Sequence, residues 1–270
     1  MLTLVYHADA VGPICRHLAA LSPSINTVKD TDYSGNSDTI LRWGSHRFDL
    51  DADIELNTTE AVSLARDKGL SRTYLCHVHL APETWFDRHD IHYPCVIRPR
   101  RHHAGIKLYV CHNHIEARDA RRRCGPGWYA SELVDKVKEY RVFVFQGRIV
   151  AVSERFPAHE GITAWNLEQG GRLINVNYRN WPIEVCASAI KAAFKLDLDW
   201  TAVDVAIARD GAVKVFECNT APGLRNPYTM SKIAQSFAWA AENIPPEMRE
   251  EFKTFKQLRH PAIRRVENLV

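Results

Sequence analysis

The run TAVDVAIARDGAVKVFECN, residues 201–219, constrains this chain more than any other stretch. Both arms are rich in β-branched and apolar residues interleaved with polar ones, the texture of strands with one buried face. Between them Asp210-Gly211 takes readily to the positive φ of a tight turn, so the run predicts an antiparallel hairpin turning on two residues. Asp204 on the first strand then comes close to Glu217 on the second. Glu217 and Asn219, two residues apart, project from the same face. Two carboxylates and a carboxamide oxygen are hard donors, suited to Mg²⁺ that keeps water and nucleotide phosphate oxygens as its other ligands. The same residues also suit a solvated hairpin end with helix-capping groups, and the hairpin alone leaves both readings open.

The remaining segments supply a frame. LTLVY reads as a buried strand, VGPICRHLAALS as a helix with apolar spacing near 3.6, and DTILRWG as a second strand closed by Gly44. NTTEAVSLARDKG carries a cap at Asn57 or Thr58, a run of helix formers and a terminal Gly69. Strand, helix, strand, helix predicts a small parallel α/β unit over 1–85, with the Pro- and aromatic-rich HLAPETWFDRHDIHYP as the boundary loop. Beyond it, PCVIRP and IKLYVC are strands joined by RRHHAG, and YRVFVFQGRIVAVSER is a hairpin turning at Gln146-Gly147. PIEVCASAIKAAFKL is an amphipathic helix with Pro182 near its start, and 246–270 is a charged helical tail.

These pieces together resemble the ATP-grasp superfamily, and the resemblance runs from about Asp38 to Asn243. ECNTAPG is similar to the family's Glu-x-Asn-x-x-Pro-Gly strand exit, and Asp204 in AVDVAI stands at the spacing of its upstream metal ligand. PCVIRPRRHHAGIKLYVC resembles the strand, phosphate-covering loop and strand of the family's lid. YASELVDKVKEYRVFVFQG resembles its hinge and the start of the second subdomain, and LNTTEAVSLARDKG the segment that closes the pre-grasp domain. The resemblance implies a mixed α/β (α+β) ATP-grasp fold: a pre-grasp domain over 1–85 and an ATP-grasp domain over 86–245, with a lid at about 86–131 and a second subdomain at about 132–245. It is closest in kind to the ligases that act on D-alanine and those that glutamylate ribosomal protein.

The roles that follow are carried over from the resemblance. Asp204, Glu217 and Asn219 would hold one or two Mg²⁺ ions (or Mn²⁺) bridging the phosphates of ATP. Lys68 matches the first phosphate lysine, and Arg98 stands where the family usually has a lid-borne lysine; the permanently charged, forked guanidinium is not a neutral exchange. Glu132, Leu133 and Val134 would meet the adenine edge and Glu139 the ribose hydroxyls. Arg141 and Arg155 would face the transferred phosphate or substrate. Arg98, Arg100 and Arg101 bring three like charges together with phosphate as their evident counter-charge, Gly105 lets that loop turn, and His102 and His103 lie at its centre. The implied activity is an ATP-dependent carboxylate–amine (or thiol) ligase working through an acylphosphate, with a phosphotransferase or a non-catalytic nucleotide-binding module as alternatives. The D-alanine-type ligases carry a substrate-gripping Arg two residues before the metal Asp; here that position is Ala202, which leaves Arg225, in the loop after Gly223, to grip the carboxylate or amine partner, an amino acid or peptide.

Composition excludes several classes. Over 270 residues the net charge is +3, too small to mark a nucleic-acid binder, and no apolar run is long enough for a membrane helix. Seven scattered cysteines do not form a disulfide framework, and the start lacks the layout of a signal peptide, so a reducing, cytoplasmic setting is expected. Cys76, His77, His79, His89 and His92 fit no closed zinc-finger spacing in a chain with thirteen histidines. The basic segment Arg118–Arg123 reads as a solvated face. A dimer is compatible with all of this.

Overall fold

The computed structural model describes residues 1–35, 37–101, 107–165 and 167–243. His102, His103 and Gly105 of the expected phosphate-covering loop, and the expected tail helix over 246–270, lie outside the described residues. The chain divides into two compact units, Met1–Leu56 with Gly223–Val270, and Asn57–Pro222.

The first unit begins β1 (Leu2–Tyr6), α1 (Gly12–Ala20), β2 (Ile25–Lys29), β3 (Ser37–Trp43) and β4 (Ala52–Leu56). All four strands are parallel, in the order β2-β1-β3-β4. The expected strands and first helix are present, with β2 and β4 added. Those two have only short stretches of apolar alternation and escaped a search for long ones.

The second unit continues with α2 (Thr59–Arg66), α3 (Lys68–Cys76), β5 (Thr84–Trp85), β6 (Cys95–Pro99), β7 (Tyr109–Cys111), α4 (His114–Cys124) and β8 (Trp128–Glu132). Strands β5-β8-β6-β7, all antiparallel, form a four-stranded sheet. Then come β9 (Lys136–Phe145), β10 (Arg148–Phe156), β11 (Arg172–Asn175), α5 (Ile183–Lys195), β12 (Trp200–Ala208) and β13 (Val213–Asn219), whose five strands form an antiparallel sheet in the order β11-β10-β9-β12-β13. A last helix, α6 (Pro227–Asn243), returns to the first unit, where Phe237 meets Trp43 edge-on and Ser24 Oγ donates to Glu242 at 2.7 Å.

Two turn assignments change. Gln146-Gly147 is a two-residue turn with both φ positive, 46° and 72°. The second hairpin does not turn on Asp210-Gly211 alone: its loop is Arg209–Ala212, closed by Ala208 N–H donating to Ala212 O at 2.8 Å, with Gly211 at φ 88°. The helix expected to run to Gly69 is broken at Asp67, which ends α2 and caps α3, its Oδ1 accepting from Leu70 N at 2.9 Å. Gly69 is a packing glycine, not a cap: a Cβ there would lie 2.9 Å from a Phe86 ring carbon and 3.1 Å from Arg100 Cγ.

The core of the second unit lies between α5 and one face of the five-stranded sheet. Val185, Ala189, Ala192 and Ala193 meet Tyr140, Val142, Val144, Val203, Val205 and Val215 there. Because side chains alternate across a strand, Glu139, Arg141 and Asp204 are left to the opposite face. Asn57 joins the start of this unit to the sheet. It is fully buried at φ 57°; its Nδ2 donates to Trp200 O at 2.8 Å, its Oδ1 accepts from Trp200 N at 2.9 Å, and its N–H donates to Asp199 at 2.8 Å.

Asn57→Ala therefore strands two buried backbone groups of Trp200 and puts a Cβ without polar compensation in the left-handed region. Chemical denaturation should show a loss of about 2–4 kcal/mol. A loss near that of an ordinary surface substitution would show that water replaces the amide.

Candidate functional site

Asp204 is the centre of the charged face. It lies opposite Arg141 on β9 and Glu217 on β13, with a register shift immediately after it on the β13 side. Arg141 grips it with a fork, Nε to Oδ1 at 2.8 Å and Nη2 to Oδ2 at 2.9 Å, and Arg155 Nη2 on β10 lies 3.0 Å from each oxygen. Arg155 Nη1 also donates to Glu139 Oε1 at 2.6 Å, and the other Glu139 oxygen takes Lys136. Burial works against the Asp204 charge, but the two guanidinium groups outweigh it and hold the carboxyl well below the usual range. Burial likewise opposes the Arg141 charge, and Asp204 more than offsets it, so this guanidinium is still harder to deprotonate. Burial dominates at Lys136 and lowers its affinity for a proton, although Glu139 opposes the shift.

Next to this group is a second set of cations. Lys68, at the first position of α3, places Nζ 2.9 Å from Glu217 Oε1. Arg98 on β6 is largely buried with its Nε unpartnered; burial lowers its proton affinity, while Tyr129 and Glu217 act in the opposite sense. Arg72, which sequence reasoning missed, donates Nε to Phe216 O at 3.2 Å, and its guanidinium lies over the rings of Tyr129 and Phe216 at 5.7 and 5.6 Å. Lys136, also missed, has its Nζ 4.5 Å from the Trp165 ring centre. In sequence both are ordinary basic residues on a helix and a strand end; nothing local sets them apart.

The fold thus brings Lys68, Arg98, Arg141, Arg155, Glu139, Asp204, Glu217 and Asn219 onto one side of the second unit. Three expectations change. Glu139, expected at ribose hydroxyls, is 3% exposed and taken up by Lys136 and Arg155. Arg100 does not wait for phosphate: it pairs with Asp67 at 2.8 Å. Arg225 belongs to the first unit, where it is exposed. Glu132, Leu133 and Val134 form the link from β8 to β9, with Glu132 N–H donating to Glu83 O at 2.9 Å.

The donors suit a hard cation in kind. Glu217 is half-buried, and the Asn219 Oδ1 accepts a single hydrogen bond, from Ala221 N at 2.9 Å, so one lone pair remains. The Asp204 oxygens are already occupied by four guanidinium contacts. Among the described residues no group of three or more His, Cys, Asp or Glu converges as a metal site. A cation here would accordingly take a carboxylate and an amide oxygen from the protein and complete its shell elsewhere, which is how Mg²⁺ binds beside phosphates.

Removing the central charge tests this arrangement. Asp204→Asn leaves two buried guanidinium groups uncompensated and should cost about 3–5 kcal/mol at neutral pH. The folded carboxyl sits below the ordinary value near 3.9. Its stabilisation is therefore complete above that pH and is lost as pH falls toward the folded value, so the gap between wild type and variant should close below about pH 4. A gap that is unchanged in acid would show that the charge of Asp204 is not what stabilises this face.

The comparisons with known proteins agree with this geometry. The family model of an ATP-grasp domain, the third family of its clade, matches residues 56–238. No curated protein matches by sequence. Among solved structures, the fold is similar to D-alanine–D-alanine ligase from Bacillus anthracis complexed with ATP: TM-score 0.65, 14% identity, covering 93% of this chain and 98% of that one. It is similar also to the ATP-grasp ligase PsnB complexed with minimal precursor, Mg and ADP, at TM-score 0.64 and 13% identity, covering 89% and 97%. A third is the Chryseobacterium gregarium RiPP-associated ATP-grasp ligase in complex with ADP and a leader and core peptide, at 0.62 and 11%, covering 91% and 97%. With two thirds of its length matched by the family and its charged sheet face built from the same segment, the chain belongs to the ATP-grasp superfamily.

Proposed function

We propose that this protein is an ATP- and Mg²⁺-dependent ligase that joins a carboxylate to an amine (or thiol) through an acylphosphate, with release of ADP and phosphate. One observation carries the reading. Among the described residues, six cations (Lys68, Arg72, Arg98, Lys136, Arg141 and Arg155) gather around only three carboxylates (Glu139, Asp204 and Glu217). A partly buried surplus of positive charge beside hard oxygen donors is suited to a polyphosphate with its cation.

In this reading Glu217 and Asn219 would hold Mg²⁺, with the Asp204 charge across the ladder; the ion, when bound, neutralises phosphate charge, and Mn²⁺ shares its oxygen preference. Lys68 and Arg98 hold phosphate oxygens, Lys68 leaving Glu217 to do so. Glu132, Leu133 and Val134 meet the adenine edge. Arg141 and Arg155 act from behind, fixing Asp204 and adding positive potential where charge develops on the transferred group. Positioning and electrostatics suffice for such chemistry, and no protein nucleophile is required. The substrate class is an amino acid or a peptide end, supported by the peptides bound to PsnB and the Chryseobacterium enzyme and by the action of the Bacillus ligase on D-alanine. Arg225, exposed in the first unit, is a candidate grip for its carboxylate. The cytoplasm is the setting that suits such a ligase.

Mg²⁺-ATP should raise the melting temperature and ATP with EDTA much less; saturation to 100 times the dissociation constant adds about 2.7 kcal/mol. Glu217→Gln should keep the fold and lower turnover about 10² to 10³. No thermal shift at millimolar Mg²⁺-ATP would remove the nucleotide from the reading.

The ligase step has its own test. With a substrate that stimulates ADP release, neutral hydroxylamine in place of the amine should trap a hydroxamate in step with ADP. A stable phosphorylated product without hydroxamate would make the protein a phosphotransferase.

A further inference from the structure

A second polar cluster, in the first unit, is not used by the charged face of β9–β13. His7 follows β1, Asp30 follows β2 and Ser45 follows β3, so three strand ends bring their side chains together. Both the His7 Nδ1 and the Ser45 Oγ bond to the same oxygen of Asp30, at 2.8 and 2.9 Å. In the order β2-β1-β3-β4, the chain leaves β1 for one side and then crosses to the other. Open parallel sheets bind ligands outside the carboxyl ends of their strands at such reversals.

The charges there do not balance. Asp30 is 2% exposed. Burial opposes its ionisation, yet the hydrogen bonds from His7 and Ser45 and the facing imidazole hold its carboxyl below the ordinary value. The nearby cations are engaged elsewhere: Lys29 pairs with Asp9 at 2.7 Å, and Arg47 pairs with Asp49 and donates to the backbone oxygen of Asp30. His46 packs edge-on against His7, ring centres 4.7 Å apart. Buried carboxylates are ordinarily paired with a cation, and here the side-chain donors are an imidazole and a hydroxyl. An ionised carboxylate only accepts, so Nδ1 of His7 carries the proton and Nε2 of the neutral ring presents a lone pair. The His7 side chain is 47% exposed, and no hydrogen bond occupies its Nε2 among the described residues.

We propose that this edge of the parallel sheet binds a primary ammonium group, taken by His7 Nε2 with Asp30 as its counter-charge and Ser45 alongside. The proposal rests on the ligase reading only in giving that ammonium a role, as the amino group of the amine substrate.

Imidazole ¹⁵N spectra of the full chain, without nucleotide or metal, test the site directly. At neutral pH the free protein should show His7 protonated on Nδ1 and bare on Nε2. The proteinogenic amino acids and ethanolamine are then added one at a time at millimolar concentration. At least one should shift the Nε2 resonance, and its N-acetyl derivative should not. His7→Phe, at a half-exposed position that tolerates a ring, should weaken that ligand about tenfold or more, measured by calorimetry. Asp30→Asn should do the same, with circular dichroism confirming the fold. A doubly protonated His7 in the free protein would overturn the proposal, because the cation would then be internal. So would silence toward every amine, an equal response to the N-acetyl compound, or a response to Zn²⁺ alone. None of these outcomes depends on ATP, so failure here and failure of the nucleotide assignment are separable.

Discussion

The grip of Arg141 and Arg155 on Asp204 is the contact on which the charged face depends. Three neighbouring strands, β10, β9 and β12, each contribute one of these side chains, and the central carboxylate is almost wholly out of water. A charge in that position is tolerable only with close partners, because desolvation would otherwise exceed any attraction it finds. The grip also extends outward: Arg155 passes from Asp204 to Glu139, and Glu139 to Lys136, so a strand-wide chain of alternating charge forms. Slipping one strand by a residue would turn its charged side chains into the apolar layer under α5. The same pairs that position the site thus fix the register of the sheet.

That chain of pairs also determines what remains for a ligand. Asp204 and Glu139 are consumed internally, whereas Glu217 is held by Lys68, partly exposed to water. An exchange of partners at Glu217 costs far less than one at Asp204, since water and a bound cation can each replace the lysine. The stem of the segment between β6 and β7 is fixed in a similar way. Arg100 is forked onto Asp67 while Lys68 N–H donates to Arg100 O at 2.9 Å, and Gly69 leaves room for the approach. The start of α3 therefore joins the stem of that segment to the Lys68–Glu217 pair.

Much of the fold was legible because local chemistry and long-range packing agree where the signal is strong. Gln146-Gly147 marked its turn because few other pairs accept two positive φ values, and the valine-rich arms on either side marked β9 and β10. Elements without such signals were not read: β4 and β2 are five residues each, and α6 joins the first unit from the far end of the chain. The helix through residues 57–69 was read as one, since helix formers run through it. Asp67 divides it by capping the second part, a competition between side chain and backbone that periodicity does not register.

By itself the sequence determined the strand, turn and strand that set Asp204 beside Glu217, because a period of two and a constrained turn leave few other arrangements. It also determined the kind of chemistry, because hard oxygen donors and permanent cations are properties of residue type. Only the tertiary structure decided how those charges divide: Glu139 sealed inside, Arg100 spent on Asp67, Arg72 wedged between two rings, and Asp30 buried among three strand ends. Pairing energies depend on distance and burial, and both are set by residues far apart in the chain.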